Sequence, residues 1–164
     1  MTSDMLASPA RTAIRRKNVS APVKYLLDND LLTKPVINYG GGYDSESSRA
    51  LEADHYDPYI YDYNNVQSFS NTWETGYCGY VLNVIAEPTV RKNTVGILET
   101  ITRTAFIAVR SDKIDGNDYG DGVVTQRNTF QKSYTADEFM HEFAEFGPVL
   151  VHKTGFYLLF KIGQ

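Results

Sequence analysis

Three consecutive glycines, Gly40-Gly41-Gly42, end the short run Pro35-Val36-Ile37-Asn38-Tyr39, and Asp44 and a helix-like stretch follow them. Asp57 lies 15 residues past Gly42, in His55-Tyr56-Asp57-Pro58-Tyr59. Glycine lets a backbone turn sharply and come close to a ligand. A carboxylate at the end of the next strand can hold both hydroxyls of a ribose. Together they predict a nucleoside-containing cofactor at the carboxyl edge of a Rossmann-like sheet. Two plainer readings stand beside this one. Glycine clusters also make ordinary strand-to-helix turns, and an aspartate before proline also caps or turns the chain.

The elements around these residues must place them at one sheet edge. Ser20-Ala21-Pro22 is an N-cap with proline in the first turn, and Val23, Leu26, Leu27 and Leu31 follow at near-helical spacing. The pattern predicts a helix over 20–32 across the sheet edge, then a strand over 35–39. A helix from Ser45 to Ala53 and a short strand over 54–57 come next. Tyr59 to Glu74 lacks periodicity and reads as a loop with a helical turn. Tyr77 to Ile85 reads as a buried central strand with its exit. Glu87-Pro88 opens a helix to about Ile101, with Val90, Ile97, Leu98 and Ile101 inward, and Thr104 to Val109 is another buried strand. Residues 111–133, rich in Gly, Asp, Asn and Thr, read as a long loop of the functional or disordered kind. Thr135 and Glu138 form a capping box for a last helix carrying Phe139, Phe143 and Phe146. Pro148 to His152 and Phe156 to Ile162 form a terminal hairpin. This order predicts an α/β fold: a mainly parallel sheet with helices on both faces and a C-terminal antiparallel hairpin.

Composition narrows the function classes. The 164 residues allow one domain with a real core, and the net charge of −4 does not advertise a nucleic-acid partner. The charge is uneven. Arg11, Arg15, Arg16, Lys17 and Lys24 face one acid, Asp4, near the N-terminus, whereas Asp44, Glu46, Glu52, Asp54, Asp57 and Asp62 face only Arg49. Residues 1–18 therefore read as a basic, flexible arm, or equally as a solvated tail, and 19–164 as a single domain. The lone Cys78 permits no internal disulfide and reads as a small buried hydrophobe. No two histidines have ligand spacing, so no metal is expected. No apolar run approaches ~18 residues and no signal-peptide core is visible, which predicts no membrane and a cytoplasmic location.

Several motifs occur in a fixed order. They are Thr12-Ala13-Ile14-Arg15-Arg16, Ser20-Ala21-Pro22, the glycine turn, Tyr56-Asp57-Pro58-Tyr59, Val81-Leu82-Asn83-Val84-Ile85, and the run Asp121 to Lys132. The series resembles the methyltransferases associated with DNA phosphorothioation systems and small phage proteins of the same type. Both lie within the class I S-adenosylmethionine-dependent methyltransferases. The resemblance implies a minimal Rossmann-like methyltransferase fold, with S-adenosylmethionine as cofactor and methyl transfer to an undefined acceptor. It also implies a nucleic-acid partner through the basic arm and, for a phage protein, the host cytoplasm. The alternative function is a non-catalytic, cofactor-binding accessory module of a nucleic-acid-modification assembly.

In that family's pattern an acid precedes glycines at alternate positions. Here Asn38 takes the place of the acid and Asp44 that of the third glycine. The implied cofactor-binding set is Asn38, Tyr39, Gly40, Gly41, Gly42, Asp44, Asp57, Pro58, Tyr59, Leu82 and Asn83. Asn38 lacks a charge to oppose the cationic methionine part, and Asp44 stands close enough to supply one. Asn83 and Arg110, each just past a central strand, are the expected catalytic residues, Asn83 by orienting an amine or hydroxyl through its amide. A helix cap is the plainer reading of Asn83. Arg127, Thr129, Gln131 and Lys132 are expected to bind the acceptor, the two cations by holding a phosphate or carboxylate. The plainer reading is a loop pinned to the sheet by their hydrogen bonds.

Overall fold

The computed structural model describes residue 6 and residues 17–42, 44–58 and 72–164. The Thr12–Arg16 motif, most of the basic arm, Tyr59 and most of the loop expected from it to Glu74 fall outside the described residues, while Trp73 and Glu74 at its end lie in a strand.

A six-stranded sheet organises the chain, in the order β2-β1-β3-β4-β9-β8. Strands β1 (Val36–Tyr39), β2 (Asp54–Tyr56), β3 (Trp73–Gly79) and β4 (Thr102–Arg110) are parallel, and β8 (Val149–Lys153) and β9 (Tyr157–Gly163) add the antiparallel hairpin. The architecture is the predicted one. Its cause is plainest in β4, where Ala105, Ile107 and Val109 face one core, while Phe106 and Ala108 face another. A strand apolar on both faces must be covered on both. Helices α1 (Ala21–Asp28) and α2 (Ser45–Leu51) cover one face, with Val23, Leu26 and Leu51 packed on Phe106 and Leu159. Helices α3 (Pro88–Ile101) and α4 (Ala136–Glu142) cover the other, where Phe139 stacks on Phe160 at 4.0 Å. Among the described residues no helix is long and apolar enough to cross a membrane.

Four details differ from the expectations. The first helix stops at Asp28, where the chain turns through Asp30 at φ 52°, and it lies over a sheet face, with Tyr25 stacked on His152 at 3.9 Å. The central strand spans Trp73–Gly79 and not Tyr77–Ile85, because Tyr80 takes a positive φ of 59° and Leu82–Val84 winds into a 3-10 turn. The inward face of α3 is Arg91, Thr94, Val95, Leu98 and Ile101, with Val90 and Ile97 at its margins. The last helix ends at Glu142, and the chain continues as a 3-10 turn, Ala144–Phe146.

The largest difference concerns residues 111–133. They hold a three-stranded antiparallel meander, β5 (Asn117–Tyr119), β6 (Gly122–Val124) and β7 (Phe130–Gln131). Tyr119 pairs with Gly122 across a two-residue loop whose first residue, Gly120, has φ +55°. Glycine at that position suits a tight hairpin.

Candidate functional site

The strand order reverses at β1, which has β2 on one side and β3 on the other. In parallel α/β sheets, ligand crevices open at the carboxyl ends of strands at such a switch point. The residues after β1, β2 and β3 meet there. Gly40 donates its N–H to the Tyr56 carbonyl at 2.7 Å, and a side chain at Gly40 would overlap Val81. Asp57 is buried, and its Oδ2 accepts from the Gly42 N–H at 2.6 Å. His55 Nε2 lies 2.9 Å from the Gly42 carbonyl. The Gly42 main chain is therefore held through both its N–H and its C=O, by two residues of one segment.

Asn38 is 1% exposed; its Nδ2 donates to Ser48 Oγ at 2.9 Å, and its Oδ1 is buried with no partner among the described residues. Asp44 points elsewhere. Both its oxygens engage Ser47, at 3.1 Å from the N–H and 2.7 Å from the hydroxyl, as the cap of α2. The expected substitute charge is thus turned toward the helix start. Tyr39 and Leu82 are buried and Pro58 is half-buried at the same edge, while Tyr59 lies outside the described residues.

Past β3, Asn83 is buried in the 3-10 turn. Its Nδ2 donates to Gln131 Oε1 at 3.2 Å, its carbonyl accepts from the Lys132 N–H at 2.7 Å, and its Oδ1 has no partner among the described residues. The meander thus docks on this turn through β7. Beside it opens a cleft of about 760 Å³ lined by Arg110, Asp115, Arg127, Thr129 and Gln131 among others. Three of the four expected acceptor-binding residues, Arg127, Thr129 and Gln131, therefore share one cavity wall with Arg110, expected as catalytic. Their tasks differ. Thr129 is buried and bonds Thr125 Oγ1 at 2.8 Å, closing the β6–β7 turn. Arg127 is exposed. Arg110 forks onto Asp112, Nε to Oδ1 at 2.9 Å and Nη2 to Oδ2 at 2.6 Å.

The hydrogen bond from Arg110 holds the Asp112 carboxyl below its usual range, and Asp112 in turn pushes the guanidinium up. A carboxylate whose pKa is lower folded than unfolded stabilises the fold at neutral pH, and that share is lost as pH falls through its folded value. Arg110→Met should therefore melt below the parent across neutral pH, and the gap should close under about pH 4. Calorimetric melting from pH 7 to pH 3 measures it.

Lys132 is not with the others. Alternation carried one residue past β7 sends Gln131 to the cleft and Lys132 to the opposite side. There its Nζ donates to the Asp121 carbonyl at 3.1 Å and lies 4.7 Å from the Tyr134 ring centroid. That side holds an ionic cluster absent from the expectations. Arg91, fully buried, donates to Glu142 Oε1 at 2.9 and 2.6 Å, to the Ile85 carbonyl at 2.9 Å and to Asp121. Tyr134 donates to Glu142 Oε2 at 2.5 Å, and burial with this bond pushes its phenol pKa well up. Burial alone would lower the Arg91 pKa, but its bonds to Asp121 and Glu142 and the carboxylate charge of Glu142 outweigh that and hold it high. Cys78 lies in β3 with its thiol pushed up by burial, so it stays an unreactive thiol.

No protein-family model matches this sequence, and no curated protein matches it either. Solved structures do resemble it. A chain of a DhpI–SAM–HEP complex aligns over 100% of both chains, at TM-score 0.59 and 9% identity. The magnesium protoporphyrin IX methyltransferase of Synechocystis PCC 6803 with bound SAM aligns over 88% of this chain and 77% of its own, at TM-score 0.54 and 12% identity. The CcbJ methyltransferase of Streptomyces caelestis aligns over 87% and 89%, at TM-score 0.54 and 7% identity. At these identities the shared property is the fold, a methyltransferase-type Rossmann-like sheet.

Proposed function

We propose that this chain binds S-adenosylmethionine at the β1 switch point and transfers its methyl group to a small polar acceptor in the Arg110–Arg127 cleft. The observation that carries the reading is the convergence of the glycine turn, the buried Asp57 and the unpartnered Asn38 Oδ1 at that edge. The solved neighbours with bound SAM support it.

The residues fit the cofactor. A buried carbonyl oxygen without a partner costs about 1–3 kcal/mol, so Asn38 Oδ1 invites a donor such as the methionine ammonium. Asp57 at the end of β2 suits the ribose hydroxyls, and the main chain at Gly40–Gly42 leaves room close by. Tyr39, Pro58 and Leu82 give the edge its apolar surroundings. Bound S-adenosylmethionine supplies a methyl group already electrophilic on its sulfonium. The chain's own share is alignment and exclusion of water, so a strong base is not required of it.

The acceptor class follows from the cleft. Arg110 is neutralised by Asp112, and Arg127 and Asp115 add opposite charges to the wall. That balance favours a small polar molecule. Kinship with phosphorothioation-associated or phage methyltransferases, and a nucleic-acid acceptor met by the arm, rest on the motif resemblance. Arg127→Ala should raise the KM for the acceptor about fivefold, the scale of one exposed charge, with kcat and melting temperature unchanged.

Calorimetric titration with S-adenosylmethionine and S-adenosylhomocysteine, followed by labelled-methyl transfer into fractionated cell extract, tests the reading. Binding of both ligands and label in a low-mass fraction are expected. Binding of neither overturns the cofactor, and label in nucleic acid overturns the acceptor class. The accessory-module reading has one observation in its favour: Asn83 and Arg110 are both engaged within the protein. Cofactor binding with no transfer to any fraction would select it.

A further inference from the structure

Asn38 has an amide where the related pattern has an acid, and an amide can present either oxygen or nitrogen. The surrounding hydrogen bonds decide which. A carbonyl oxygen only accepts, so His55 Nε2, 2.9 Å from the Gly42 carbonyl, must carry a hydrogen. In the neutral imidazole Nδ1 is then bare and accepts from Ser48 Oγ, 2.6 Å away. Ser48 has one hydrogen, now committed to His55. Toward residue 38 its oxygen can only accept. Asn38 must therefore turn its Nδ2 to Ser48, at 2.9 Å, and its Oδ1 away. The orientation is dictated by the glycine loop's own carbonyl through two side chains. Gly41 makes the room, since a Cβ there would lie 2.7 Å from His55 Cε1 and 2.8 Å from Asn38 Nδ2.

We propose that Ser48 and His55 are positioning residues that lock Asn38 as a hydrogen-bond acceptor for the cofactor's ammonium group. They achieve by orientation what an acid would achieve by charge. The proposal rests on the S-adenosylmethionine reading above. It makes the carboxyl edge of β1 selective for ligands that retain the amino-acid portion.

The test compares S-adenosylhomocysteine with 5′-methylthioadenosine, which lacks the ammonium and carboxylate, by calorimetry on the full chain. Ser48→Ala and His55→Phe free the Asn38 amide to turn. Each should weaken S-adenosylhomocysteine about tenfold or more, the scale of one hydrogen bond to a charged group. Ser48→Ala should leave 5′-methylthioadenosine within about twofold, whereas His55→Phe also gives up the Gly42 carbonyl and should weaken both ligands, S-adenosylhomocysteine the more. Asn38→Asp has an oxygen in either orientation, so the Asn38→Asp/Ser48→Ala double variant should bind S-adenosylhomocysteine as Asn38→Asp alone does. Equal weakening of both ligands in the single variants would mean a purely structural role and overturn the relay. So would a double variant no better than Ser48→Ala. A parent protein that binds neither ligand overturns the cofactor reading first, and the relay with it.

Discussion

Arg91→Met should cost about 3–5 kcal/mol of folding stability, the scale for removing one partner of a buried ion pair. The side chain is fully buried and meets Glu142, Asp121 and the Ile85 carbonyl. Methionine fills much of the volume but leaves Glu142, whose side chain is 15% exposed, with the Tyr134 hydroxyl as its one remaining hydrogen-bond partner among the described residues. Most of the cost is thus the stranded carboxylate. Adding Glu142→Gln should recover a good part of it, which a simple cavity effect would not allow. Urea denaturation with an unchanged m-value is the measurement. The consequence reaches the site. Asp121 lies in the β5–β6 turn, so Arg91 ties the meander to α3 and α4, and the meander carries Gln131 and the wall of the cleft. Cleft function in Arg91→Met should therefore be lost on heating together with the folded fraction, at a lower temperature than in the parent.

Why this residue escaped the sequence is instructive. Helix periodicity marks apolar faces, and an arginine among Val90, Thr94 and Val95 reads as a solvated residue. Its partners stand 30 and 51 residues away and reach it only through the fold. The meander was hidden for another reason. Strands of two or three residues are too short to show alternation. Yet Tyr119-Gly120-Asp121-Gly122 carried a hairpin signal that glycine and aspartate content obscured. Lys132 was misplaced by the same omission, because without β7 there was no alternation to part it from Gln131. The sheet was legible, since Ala105 to Val109 must be buried on both sides and a strand followed by three glycines marks a turn. Ser48 and His55 could not be linked to Asn38, because the three meet from α2, β2 and β1.

Asp57→Ala should abolish measurable cofactor binding, with a loss of about a hundredfold or more. A carboxylate holding two ribose hydroxyls makes charge-assisted bonds worth about 1.5–3 kcal/mol each, and roughly 1.4 kcal/mol is tenfold in affinity. The alanine variant alone is ambiguous, because Asp57 Oδ2 also holds the Gly42 N–H at 2.6 Å. Losing that bond loosens the glycine turn whatever the ribose does. Asp57→Asn separates the two effects. Its amide oxygen can still accept from Gly42, so the turn keeps its clamp, while the charge and one acceptor for the diol are gone. If Asp57 anchors the ribose, Asn should weaken S-adenosylhomocysteine by at least about tenfold at unchanged melting temperature. The 2′,3′-dideoxy analogue should then bind parent and variant almost equally, because both hydroxyls that the carboxylate would hold are missing from the ligand. If Asp57 serves only the turn, Asn should bind like the parent and only Ala should fail. Calorimetry on three proteins and two ligands therefore assigns the carboxylate to ligand or to loop.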